Sequence, residues 1–114
     1  MRVVNATRET VLAHRARVAR GVWERMRGLI GRERMDEGEA LIIPGSKQVH
    51  TLFMRFAIDV MYVDGNSRVA GMAHLRPWRI SPRVRDAALV VELPAGTLRA
   101  SGTEQGDLIM VEEP

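Results

Sequence analysis

Apolar positions set the frame of this chain. Along Ile58-Asp59-Val60-Met61-Tyr62-Val63 they fall on both faces of a period-2 strand, which predicts a central strand buried on both sides. This run closes the longest apolar stretch of the sequence, which begins at Val49, and it stops at Asp64-Gly65-Asn66, a tight-turn signal. Val69 to Leu75 reads as the returning strand. Ala87 to Leu93 is a second strong strand, and Ala40 to Ile43 is a short buried one closed by Pro44-Gly45. Val3-Val4 and Thr10 to Leu12 predict a hairpin, Ala13 to Arg20 a half-exposed strand, and Leu108 to Val111 the last strand. Between residues 21 and 30 the period changes. Val22, Trp23, Met26, Leu29 and Ile30 form one helical stripe, and Gly31 is a natural stop. A short helix is expected over Thr97 to Ser101, ended by Gly102. Two prolines pin the loop from Pro77 to Pro82.

Many short strands around one or two short helices predict a mainly β fold, a compact antiparallel β-sandwich or flattened barrel, as a single domain over residues 1–114. The expected core includes Trp23, Phe53, Ile58, Val60, Leu89 and Val91. The methionines read as gap-fillers of that core.

Composition changes this picture mainly by exclusion. The chain has no cysteine, which removes disulfides, thiolate zinc sites and cysteine nucleophiles. No apolar run approaches a membrane span, and Met1 to Glu9 lacks the apolar stretch of a secretory leader, so a cytoplasmic protein without a membrane partner is expected. The net charge is +3, with nine arginines against three glutamates in residues 1–34. Sixteen of the seventeen basic residues are arginine, and no aromatic-interleaved basic run accompanies them, which argues against a nucleic-acid partner.

Candidate chemistry rests on polar residues inside apolar blocks: His50, Asp59 and Glu92. They can line a ligand-binding cleft, act as acid and base, ligate a divalent ion, or accept structural hydrogen bonds. No paired-histidine spacing supports a metal, no nucleophile motif or phosphate-binding glycine loop occurs, and no cofactor is expected. Asp59, flanked by Ile58 and Val60, needs donors nearby: His50, Arg55, Arg76 or backbone N–H groups of a turn. His14 and His74 read as packed or surface histidines. Trp78, on its rigid loop, suits either a binding-site wall or a cap on the core.

Several blocks also resemble a known family. Arg27-Gly28-Leu29-Ile30-Gly31-Arg32, Gly38 to Ile43, His50 to Val60, Glu92-Leu93-Pro94-Ala95-Gly96-Thr97 and Gly106-Asp107 look like those of domain of unknown function family 192, in that family's order. The resemblance implies a jelly-roll-type sandwich and leaves the activity open. The leading expectation is a ligand-binding or accessory module for an unknown small molecule or protein, with a cleft drawing on His50, Thr51, Met54, Asp59, Trp78 and Glu92. The alternative is a small hydrolase-like enzyme using His50 with Asp59 or Glu92.

Overall fold

In a computed structural model, which describes residues 1–113, the strong apolar runs become the middle of a sheet. The strands are β1 (Arg2–Asn5), β2 (Thr10–Ala13), β3 (Arg15–Val18), β4 (Glu39–Pro44), β5 (Ile58–Asp64), β6 (Val69–Leu75), β7 (Ala87–Pro94) and β8 (Ile109–Glu112). Helix α1 spans Val22–Leu29 and α2 spans Thr97–Ser101. A five-stranded sheet has the order β3-β4-β7-β5-β6, and a three-stranded sheet the order β2-β1-β8. The most apolar strands, β5 and β7, lie side by side in the interior of the larger sheet, and residues 58–63 of β5 are all buried.

The reason is that both faces of this sheet are covered. One face, with Ile42, Met61, Val63, Val91 and Leu93, packs against Val3, Leu12 and Ile109 of the small sheet and Leu98 of α2. The other face, with Leu41, Ile43, Ile58, Val60, Tyr62 and Val90, packs against Leu29 of α1 and against Val49 and Met54. The mainly β sandwich with two short helices is the expected class.

Three expectations change. The stretch from Ala13 to Arg20 is not one strand. The chain leaves the small sheet at Ala13, bends at His14 and joins the large sheet as β3. There β3 pairs with β4 in parallel, the one parallel pairing among the described residues, and α1 lies in the crossover between them. Trp23 is not core. It is 75% exposed, because α1 turns Arg25 and Leu29, four residues apart, toward the sheet instead. The side chain of Val22, placed in the same predicted stripe, lies outside what is described. Phe53 is not core either. It sits on the 50–57 loop, 60% exposed, with φ at 66°.

Candidate functional site

The three polar residues singled out in the sequence do not share one place. Asp59 stands beside Leu93 in the ladder, on the face covered by α2. Glu92 stands beside Leu41 and Val60, on the opposite face. Side chains alternate between faces along a strand, so the whole thickness of the sheet separates them.

Asp59 is fully engaged. Oδ2 accepts from the backbone N–H groups of Gly96 and Leu98, both at 3.0 Å, and Oδ1 lies 3.0 Å from Nδ1 of His74. The anticipated turn N–H groups are therefore among its partners, while His50, Arg55 and Arg76 are not. His74, read as a bystander, is the side-chain partner. With Leu98, Arg99, Thr103 and Met72, the two line an open groove of about 550 Å³.

Glu92 is fully buried and only half engaged. Oε1 accepts from Nε of Arg25, and Oε2 has no hydrogen-bond partner. Burial pushes its carboxyl up, and Arg25 opposes that rise. Nη2 of Arg25 donates to the His50 carbonyl, so one guanidinium ties α1, β7 and the loop after β4 together. His50 is not within hydrogen-bond reach of Asp59 or Glu92. Its Nδ1 accepts from the Leu52 N–H at 3.1 Å, which puts the proton of the neutral ring on Nε2. Partial burial and the nearby Arg25 hold its pKa below the ordinary value. His50, Arg25 and residues 43–46 line a groove of about 300 Å³.

His50, Thr51, Met54 and Trp78 do come together, at the end of the sheet where β5 begins and β6 ends. Thr51 is buried and knots the two loops. Its N–H donates to the Arg79 carbonyl at 2.8 Å, its carbonyl accepts from the Trp78 N–H at 2.9 Å, and its hydroxyl donates to the Arg76 carbonyl at 2.6 Å. Further along, the Ser81 N–H donates to the Val49 carbonyl and the Val84 N–H to that of Lys47. Met54 is buried beneath. On this base Phe53 and Trp78 touch, with ring centroids 4.7 Å apart and planes tilted by 57°. Trp78 is 55% exposed and nearby Ile80, bridged to His50, is 65% exposed. Both aromatic residues have left-handed backbone, φ 66° for Phe53 and 64° for Trp78, a conformation that bulky side chains seldom adopt.

The electrostatics of these loops are one-sided. Residues 46–57 and 76–85 hold Lys47, Arg55, Arg76, Arg79, Arg83 and Arg85 and no carboxylate, a charge of +6 in a protein of net +3. None of these arginines pairs with a carboxylate among the described residues. In the basic N-terminal third, five of the nine arginines are paired among the described residues. Arg2, Arg8, Arg25, Arg32 and Arg34 each have a carboxylate partner. Sequence reasoning therefore missed Arg25, His74, Phe53 as a surface residue, Ile80 and the loop arginines. The absence of any Asp or Glu from both loops was the available signal. No group of three or more His, Asp or Glu positioned for a metal occurs among the described residues, nor does a helix long and apolar enough to cross a membrane.

Comparison with known proteins agrees with this architecture. A protein of unknown function from Novosphingobium aromaticivorans superposes with a TM-score of 0.82 at 22% identity, over 97% of this chain and 84% of that one. A putative transcription regulator from Sinorhizobium meliloti gives 0.77 at 20% identity, over 96% and 89%. At such identities the likeness is one of fold. A UPF0127 protein of Thermococcus gammatolerans is 30% identical over 94% of this chain and 72% of its own length. One from Pyrococcus furiosus is 44% identical over 52% of this chain, an alignment that spans about half (51%) of that relative. The family model described as DUF192, "Uncharacterized ACR", matches residues 3–111, and the chain belongs to that family.

Proposed function

We propose that this domain is a binding or accessory module whose working surface is formed by the 49–57 and 76–84 loops. One observation carries the reading. Phe53 and Trp78 stand in ring contact on the surface, each on left-handed backbone. Such backbone costs about 1–3 kcal/mol per residue and persists only where its surroundings enforce it. Thr51 supplies that enforcement. The unpaired arginines favour an anionic partner with an apolar part, and we place the protein in the cytoplasm. The cleft draws on His50, Thr51, Met54 and Trp78, with Arg25 and Glu92 as its buried support; Asp59 is outside it. Titration with anilinonaphthalene sulfonate, an anionic aromatic probe, while following amide chemical shifts tests this. Shifts concentrated at residues 49–57 and 76–84, lost in Trp78→Ala, are expected. Shifts scattered elsewhere, or unchanged in the variant, would sink the reading.

A second reading, a small hydrolase, finds support in one other place. The His74–Asp59 pair, with its carboxylate fixed by two N–H groups, faces a groove and could orient an imidazole as a general base. Hydrolysis of p-nitrophenyl acetate above background, abolished in His74→Gln, is its test. Equal rates in both proteins would remove it.

A further inference from the structure

Resting on the binding-module reading above, we infer that the partner of the Phe53–Trp78 surface is an anionic lipid bilayer. Phe53, Trp78 and Ile80 enter the headgroup layer, while Arg55, Arg76 and Arg79 meet lipid phosphates. The side chains separate this occupant from a nucleic acid. Ile80, the most exposed of the three, has neither a π face nor a hydrogen-bonding group, so it offers nothing to a base and much to acyl chains. The two rings tilt by 57° and touch, so each covers part of the other; they do not form an open parallel platform for stacking. Tryptophan favours the membrane–water boundary, where its body is apolar and its N–H is wet.

Charge complementarity supplies the second argument. The 49–57 and 76–84 loops carry Arg55, Arg76, Arg79 and Arg83 and no carboxylate, so nothing in them repels a negative surface. Each arginine near an anionic leaflet strengthens partitioning by about fivefold, an attraction that salt screens within a Debye length. The third argument is rigidity. Thr51 and the backbone bonds between the loops already hold the three apolar groups in place, so little ordering remains to oppose insertion. This is docking on a leaflet. It needs no spanning helix, and none is found among the described residues.

The experiment uses the full chain carrying Trp23→Phe, so that Trp78 is the only fluorophore of its kind. Vesicles of equimolar phosphatidylglycerol and phosphatidylcholine should sediment the protein, shift Trp78 emission to the blue, and quench it when the acyl chains carry bromine. Phosphatidylcholine alone should do none of these. Phe53→Asn/Trp78→Asn/Ile80→Ser should weaken sedimentation by about tenfold or more, since the apolar contribution is gone. Asparagine tolerates left-handed backbone, so the fold should survive, as an unchanged circular-dichroism melt would verify. Arg55→Gln and Arg79→Gln should each cost about fivefold. No binding to the anionic vesicles, or binding without bromine quenching, overturns the inference. Tight binding of oligothymidylate at physiological salt, with Trp78 quenched, would assign the surface to nucleic acid instead. If vesicles fail while anilinonaphthalene sulfonate still shifts the loop amides, the lipid falls and the binding surface stands. If both fail, both fall.

Discussion

The two faces of the five-stranded sheet each bury one carboxylate, and the two are held in different ways. Asp59 accepts from two backbone N–H groups at the start of α2 and from His74, so both of its oxygens are engaged. Glu92 has a single arginine from another element and one oxygen with no partner. The first arrangement rests mainly on backbone donors, which any chain carries, and fastens a short helix to a strand. The second depends on one long side chain reaching in from α1, and that side chain also holds the backbone beneath the exposed loop surface. Similar-looking sequence features, an acidic residue inside an apolar run, thus anchor a helix on one face and support a candidate site on the other.

The largest expected effect is at the half-engaged pair. Arg25→Met strands a buried carboxylate and should cost about 3–5 kcal/mol at neutral pH, measured by chemical denaturation. Arg25→Met/Glu92→Met should recover most of that loss, because the costly charge leaves with its partner. A double variant as unstable as the single one would show that the stranded charge is not the cause. The pair also has a pH signature. A carboxyl whose folded pKa is raised binds its proton more readily in the fold, so its contribution to stability is present at low pH and declines as pH rises from 4.5 through the folded value. Glu39, which Arg32 holds down to about 2, has the opposite sign. Its contribution is present above 4.5 and is lost as pH falls toward 2. Glu92→Gln should flatten the first segment of the stability curve and Glu39→Gln the second. The reverse assignment would break the contrast.

Next in size is the fully engaged carboxylate. Asp59→Leu leaves the Gly96 and Leu98 N–H groups without an acceptor and should cost about 1–3 kcal/mol. His74→Ala should cost less than about 1 kcal/mol, since its half of the pair is open to solvent. Equal losses in the two would mean that the histidine, and not the backbone, carries the anchor. Thr51→Val removes one hydroxyl from the loop knot and should cost about 1 kcal/mol. It should also broaden the amide resonances of residues 76–80 more than those of α2. The smallest effect is expected at Trp23→Ala, within about 0.5 kcal/mol of the parent, because the side chain is mostly in water. A loss of several kcal/mol there would place α1 differently on the sheet.

What the sequence by itself determined follows from periodicity. An unbroken apolar run can be satisfied only between two covered faces, so β5 was legible as a central strand and β7 as a strong one, and the mainly β class followed. Turn chemistry located the turn after Asp64 and the end of α2 at Gly102. The need of a buried carboxylate for donors was legible too. Which donors answered was not, because Arg25 and Glu92 lie 67 positions apart, and Asp59 and Leu98 lie 39 apart. Long-range pairing is decided by how the sheet closes. The phase of α1 was lost for the same reason: a stripe drawn from hydrophobicity puts every arginine outside, and only the tertiary structure shows a buried carboxylate drawing one in. Phe53 scored as core, and Trp78 as either a binding-site wall or a cap on the core, and the turns that join two loops through Thr51 leave both mostly exposed. The arginines of those loops are separated in the sequence, and only the crossing of residues 49–51 with residues 78–81 joins the two loops that carry them.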